Sequence, residues 1–202
     1  MKIFCIGRNY ADHIEELKNE HPAEPLIFMK PDTALLKEGP FYIPEFSDDI
    51  HYEVELVVKI SKVGKYIEPK FAHKYYDEIS LGIDFTARDV QQRLKEKGLP
   101  WEISKAFDNS AVIGGFLSKN IFSSMESLNF TLFKNGNAVQ IGNTSLMLWQ
   151  VDELISHVSR YFTLKTGDLI FTGTPAGVGR VSSGDVLEGV LEGHKLFSTL
   201  VK

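Results

Sequence analysis

Short apolar runs separated by turn-forming residues recur along this chain, with no regular succession of helices between them. The runs cover residues 2–6, 26–29, 50–60, 81–86, 130–133, 138–141, 169–172, 186–191 and 196–201, and they read as strands. Asn135-Gly136 between two of them marks a hairpin, because the tight primed turn needs positive φ at both central residues. Helical patterns are few: residues 11–17, residues 87–97 ending at Gly98, and a third helix with the stripe Val151, Leu154, Ile155 and Val158. This order argues against a doubly wound nucleotide-binding sheet. It predicts an α+β, β-rich domain with a few peripheral helices.

No repeat or linker divides the chain, so residues 1–202 are expected to form one domain. A hydrophobic fraction of 43% is that of a globular protein. At this length roughly 70% of the extended surface is buried on folding, so disulfides are not needed. The lone Cys5 lies in an apolar run and is expected in the core, which favours a reducing, cytoplasmic compartment. The opening residues are too short in apolar character for a signal peptide, and no run approaches the roughly 18 apolar residues of a membrane span. With a net charge of −5 and dispersed basic residues, neither nucleic acid nor an anionic membrane is the expected partner.

Chemistry concentrates in His51-Tyr52-Glu53-Val54-Glu55-Leu56. Side chains alternate along a strand, so His51, Glu53 and Glu55 share one face and Tyr52, Val54 and Leu56 the other. Two carboxylates on one strand face fit either a solvated surface or a bound cation. Asp84 lies within the apolar run Leu81-Gly82-Ile83-Asp84-Phe85, where burial of an unpaired carboxylate is expensive. Brought beside Glu53 and Glu55, it would complete an all-oxygen site for a hard divalent cation, with positions left for water and substrate.

His13 and Glu16 are three residues apart and share a helical face, as an ordinary surface ion pair does or as a carboxylate that orients a general base. His51, His73 and His157 lack such context and read as strand, loop and helix-surface residues. Lys105 is expected in a loop, either solvated or holding negative charge on a substrate. Thr172-Gly173-Thr174-Pro175-Ala176-Gly177-Val178-Gly179 follows a strand and resembles a backbone cradle for an anion, without the lysine and serine of a phosphate-binding loop.

Further segments join these: Gly7-Arg8-Asn9-Tyr10-Ala11-Asp12-His13, Phe28-Met29-Lys30-Pro31, Asp84-Phe85-Thr86-Ala87-Arg88-Asp89-Val90-Gln91, Gly98-Leu99-Pro100-Trp101, Lys105-Ala106-Phe107-Asp108 and Thr172-Gly173-Thr174-Pro175. Together and in this order they resemble the fumarylacetoacetate hydrolase family, most of all its small acylpyruvate hydrolase and oxaloacetate decarboxylase members. The resemblance implies a mixed β-sheet roll, a homodimer, and Mg²⁺ or Mn²⁺ held by Glu53, Glu55 and Asp84. It implies His13 and Glu16 as a water-activating pair on a lid within about residues 10–22, and Lys105 as a stabiliser of substrate charge. Arg8, Arg88, Gln91 and Thr174 are implied to line the substrate site. The chain departs from the family pattern near Val112, where a proline is expected in a loop.

The implied substrate is a small 2-oxo acid that chelates the metal, whose Lewis acidity stabilises the enolate left when a carbon–carbon bond breaks. Hydrolysis of an acylpyruvate or decarboxylation of oxaloacetate follows from that reading. An isomerase of the 2-hydroxyhepta-2,4-diene-1,7-dioate type is the alternative within enzymes, and a catalytically silent cation-binding domain the alternative outside them.

Overall fold

A computed structural model describes residues 1–18 and 20–202. In chain order its elements are β1 (Ile3–Gly7), α1 (Ala11–Glu16), β2 (Leu26–Lys30), β3 (Ile50–Tyr52), β4 (Val54–Ile60), α2 (Pro69–Ala72), β5 (Tyr76–Asp84), β6 (Thr86–Ala87) and α3 (Arg88–Glu96). They continue with α4 (Glu102–Lys105), β7 (Ala111–Ile113), β8 (Leu117–Ser118), β9 (Asn129–Lys134), β10 (Asn137–Asn143) and α5 (Val151–Tyr161). The chain closes with β11 (Leu169–Phe171), β12 (Gly179–Arg180), β13 (Val186–Leu191) and β14 (His194–Leu200). Among the described residues, no helix is long and apolar enough to cross a membrane. Of the expected lid, Asn19 lies outside the described residues.

The largest sheet has seven strands, ordered β2-β1-β11-β4-β5-β7 with β8 added on β5. It is mixed: β1 and β11 run parallel, and the neighbouring pairs are antiparallel. Both its faces are covered. Phe4, Ile6, Leu56 and Val58 enter the main core, which they share with the four-stranded sheet β10-β9-β13-β14 and the three-stranded sheet β12-β3-β6. Ile3, Cys5, Val57 and Phe171 pack on the opposite face. Burial on two faces explains why these strands read as continuous apolar runs rather than alternating ones. Cys5 is buried as expected.

The hairpin forms at Asn135-Gly136 with φ of 53° and 79°. Helix α5 buries Leu154, Ile155 and Val158 and packs on α2. His157 of that helix is not a surface residue: it is buried, edge-on to Tyr161 at 5.4 Å between ring centroids. Val112 lies not in a loop but in β7, opposite Ile83 of β5. Its strand therefore supports the end of β5 that carries Asp84.

Two expected strands are each broken in a way that matters for the site. Residues 50–60 form β3 and β4 with Glu53 between them, and the run through residue 86 forms β5 and β6 with Phe85 between them. β4 and β5 pair in the large sheet, while β3 and β6 pair in the small one. Both chains thus change sheets at the same level, a corner of the kind that sheet packing needs where strands turn from one layer to the next.

Candidate active site

The corner assembles the carboxylates. Past the pair Val54↔Ile83, Asp84 comes opposite Glu53, and the Asp84 N–H donates to the Glu53 carbonyl at 2.9 Å. Glu55 is two residues from Glu53, so all three side chains leave the same face. Their carboxylates offer oxygens within 4.8 Å of one another. Glu53 is 5% exposed, Glu55 2% and Asp84 0%, so this is not a solvated strand face.

Cations hold two of the three. Lys105 Nζ is 2.7 Å from both Glu53 Oε2 and Asp84 Oδ2, and donates to Thr86 Oγ1 at 2.6 Å. Lys105 ends the short helix α4 rather than lying in a loop, and it is buried, not solvated. Lys30 Nζ faces Asp84 Oδ1 at 2.7 Å and donates to Ser110 Oγ at 3.0 Å and to the Lys105 carbonyl. Arg88 pairs with Glu53 Oε1 at 2.5 Å. Burial alone would raise the Glu53 pKa, but the Lys105 and Arg88 charges outweigh it and hold the carboxyl well below the usual range.

Glu55 differs. It accepts the Gly173 N–H at 2.7 Å, and among the described residues no cationic side chain forms a salt bridge with it. Burial, and then the charges of Asp84 and Glu53, push its pKa well above the ordinary value. Asp84 Oδ1, fully buried, has an ion-pair partner in Lys30 but no aligned hydrogen bond. A dry set of three converging carboxylates, one disfavoured as an anion by its neighbours, has the donor chemistry for a hard divalent cation. The residues present fit Mg²⁺ or Mn²⁺.

The triad lies in a pocket that Arg8, His13, Arg88, Gln91, Lys105 and Thr174 also line. Glu16 stands behind it. Its Oε2 is 3.0 Å from His13 Nδ1, and its Oε1 accepts the Gly177 N–H at 3.0 Å. His13 is itself buried, so the pair is not an ordinary surface ion pair; it leaves Nε2 as the ring nitrogen free of Glu16. Thr174 Oγ1 accepts from Gln140 Nε2 at 2.8 Å, and Gln140 Oε1 accepts the Val54 N–H, which ties this wall to the strand that carries Glu55.

The expected anion cradle is present, but its anions belong to the protein: Gly173 holds Glu55 and Gly177 holds Glu16. Gly173 has φ of +99°, and a Cβ there would meet Asn9 Cβ at 2.8 Å, so both the turn and its close approach require glycine. Two charged site residues escaped the sequence reading. Lys30, like Asp84, is a charge within an apolar run, the signal that could have found it. Lys95 lines the pocket one helical turn beyond Gln91, at a spacing that matches the face already chosen.

A family model described as fumarylacetoacetate (FAA) hydrolase C-terminal matches residues 2–199. The chain is 42% identical to the mitochondrial oxaloacetate tautomerase FAHD1 of Mus musculus, over 95% of this chain and 87% of that protein. It is 43% identical to a mitochondrial oxaloacetate decarboxylase of Dictyostelium discoideum, over 93% and 87%. Among solved structures, a fumarylpyruvate hydrolase from Pseudomonas aeruginosa in complex with Mn²⁺ and pyruvate superposes with a TM-score of 0.93. That match is 36% identical and covers 100% of this chain and 89% of the other.

Proposed function

Because the chain belongs to the fumarylacetoacetate hydrolase family, we propose that it is a metal-dependent enzyme of small 2-oxo acids, acting on oxaloacetate through its enol. The observation that carries this reading is one pocket that joins a buried carboxylate triad to the cations Lys105 and Arg88 and a carboxylate-oriented histidine. Glu53, Glu55 and Asp84 would hold the cation. When bound, Mg²⁺ or Mn²⁺ supplies Lewis acidity to the 2-oxo group.

The protein's own groups do the rest. Lys105 and Arg88 bring positive charge to the oxygen on which the enolate develops, where preorganised charge is most effective in a dry site. His13 takes a proton from C3 and returns one to the enol oxygen, or the reverse: one C–H bond breaks as one O–H bond forms. Glu16 fixes the imidazole by accepting at Nδ1 and is itself fixed by Gly177. Phe28 and Trp101 line the pocket and exclude water.

Carbon–carbon cleavage is the second reading, and the His13–Glu16 pair favours it, because the same base can take its proton from water. With an acylpyruvate, water adds to the distal carbonyl and the C3–C4 bond breaks to give a carboxylic acid and the pyruvate enolate. Loss of carbon dioxide from oxaloacetate breaks the C3–C4 bond to the same enolate without added water. The test is a panel read separately: enol-to-keto conversion of oxaloacetate, pyruvate formed from oxaloacetate, and pyruvate formed from acetylpyruvate, each with and without Mg²⁺ or Mn²⁺. Metal-dependent acceleration of enol-to-keto conversion is expected. A protein that accelerates none of the three would overturn the proposal, and one that cleaves without tautomerising would promote the second reading.

A further inference from the structure

The small sheet beside the carboxylates carries a histidine that the proposed chemistry does not use. β3 and β6 pair antiparallel, with Ile50 opposite Ala87 and His51 opposite Thr86. The Arg88 N–H donates to the Asp49 carbonyl at 2.8 Å, so the ladder runs one pair further and sets Arg88 opposite Asp49. Alternation then puts Asp49, His51, Thr86 and Arg88 on one face. His51 and Arg88 are diagonal neighbours on it. Such neighbours stand about 7–8 Å apart, within reach of aromatic and long side chains.

The hydrogen bonds on this face leave one donor and one acceptor over. Asp49 Oδ1 is 3.0 Å from His51 Nε2, so the carboxylate accepts the ring proton there and a neutral ring keeps its lone pair on Nδ1. Burial, and then the Arg88 charge, lower the His51 pKa, in keeping with a neutral ring. Arg88 is held at its tip, Nη2 on Glu53 Oε1 at 2.5 Å and Nη1 donating to Gln91 Oε1 at 2.7 Å. Both partners line the pocket and face whatever binds in it. Arg88 Nε, which only donates, and His51 Nδ1 are buried without a hydrogen-bond partner among the described residues. Unmet buried groups are costly, and each of these is what the other lacks.

We infer that His51 is a positioning residue for Arg88: its Nδ1 accepts the Arg88 Nε–H, while Asp49 fixes the ring from the other side. This rests on the reading in which Arg88 brings positive charge to the enolate oxygen. His51 does not line the pocket and acts through Arg88 alone. A planar guanidinium pinned at Nε as well as at its tip keeps its plane when substrate draws on Glu53 and Gln91, so its charge stays where the oxyanion forms.

Nitrogen-15 NMR of the Mg²⁺-loaded protein tests the hydrogen bond without substrate. The His51 ring should be protonated at Nε2 and not at Nδ1, and the Arg88 Nε–H, identified by its loss in Arg88→Lys, should exchange slowly with water. Two variants separate the ring nitrogens. His51→Gln still reaches Asp49 but offers no acceptor at the Nδ1 position; His51→Asn places an amide oxygen near that position and does not reach Asp49. Protection of the Arg88 Nε–H should be lost in the first and kept in the second. For enol-to-keto conversion of oxaloacetate, kcat should fall roughly ten-fold in His51→Gln with KM little changed, the scale of one buried hydrogen bond, and largely recover in His51→Asn. A role confined to the Asp49 contact would give the opposite order, and thermal melts check that each variant folds. A ring protonated at Nδ1, or an Arg88 signal indifferent to His51→Gln, would overturn the inference while turnover by the parent keeps the 2-oxo acid reading. The expected signals in a parent that turns over no 2-oxo acid would overturn that reading and leave the hydrogen bond standing.

Discussion

Replacing Lys30 with methionine keeps most of the side-chain volume and deletes one of the two ammonium groups that face Asp84. The pair is wholly buried, with both side chains at 0% exposure, so water cannot substitute for the lost charge. Breaking a buried pair on one side costs about 3–5 kcal/mol, because the remaining charge stays desolvated. Lys105 still holds Asp84 Oδ2 at 2.7 Å, which points to the lower end of that range, about 3 kcal/mol. For a domain of this size that corresponds to a fall in Tm of about 6–12 °C. The assay is a double-mutant cycle of Lys30→Met with Asp84→Asn by urea and thermal unfolding, in chelator so that cation binding does not contribute to stability. The double variant should be more stable than the sum of the singles predicts by about 1 kcal/mol or more, since removing Asp84's charge relieves what Lys30→Met exposes. A Lys30→Met protein within about 0.5 kcal/mol of the parent, or a strictly additive cycle, would refute the claim that this pair is energetically coupled.

Three further outcomes are expected. Asp84→Ala should abolish calorimetric binding of Mg²⁺ or Mn²⁺, and chelator should remove turnover without unfolding the parent; undiminished binding by the variant would break the triad assignment. His13→Ala and Glu16→Ala should slow acetylpyruvate hydrolysis by about 10²-fold, the usual scale of general base catalysis, and slow oxaloacetate decarboxylation far less; equal losses in both reactions would remove the water-activating role. Asp185 accepts from Asn135 Nδ2 at 2.7 Å and from the Ser182 N–H at 2.8 Å and pairs with Lys134 at 3.0 Å. Partial burial raises its pKa, but these contacts, Lys134 foremost, lower it further. Its stabilisation is therefore full above the unfolded value near pH 4 and lost as pH falls through the lower native value. Asp185→Asn should cost about 1 kcal/mol at neutral pH and nothing measurable near pH 2 in urea titrations, and an equal gap at both would contradict the assigned direction.

What could be read beforehand was local. The Asn135-Gly136 turn depends on two adjacent φ angles, and the strands on an apolar pattern a few residues long. Asp84 announced itself because a carboxylate in an apolar run has few comfortable environments, whereas Glu53 and Glu55, on one face of an alternating strand, fitted a solvated surface as well as a bound cation. The breaks at Glu53 and Phe85 left no such trace: each strand is apolar on both sides of its break, and only the pairing of β3 with β6 in another sheet shows the corner. Lys30 was visible as a charge at an apolar run, but its partners were not: they lie 54 residues away at Asp84 and 75 away at Lys105, and nothing in the residues beside it specifies them. Glu55 was visible as a carboxylate, yet its dependence on Gly173, 118 residues later, required the fold.

The corner at Glu53 and Phe85 also divides what this chain can change from what it cannot. The three converging carboxylates project from a two-strand ladder, where Gly82 tolerates no added carbon: a Cβ there would meet the Phe171 ring and the Val112 carbonyl at 2.6 Å. Drift at those positions disrupts the sheet before it alters selectivity. Lys95 and Trp101 sit on a helix and a loop at the periphery, where a substitution disturbs few neighbours. A lineage built on this scaffold can therefore vary the rim of the pocket while inheriting the carboxylate cluster unaltered, and a library confined to the rim should return few unfolded members.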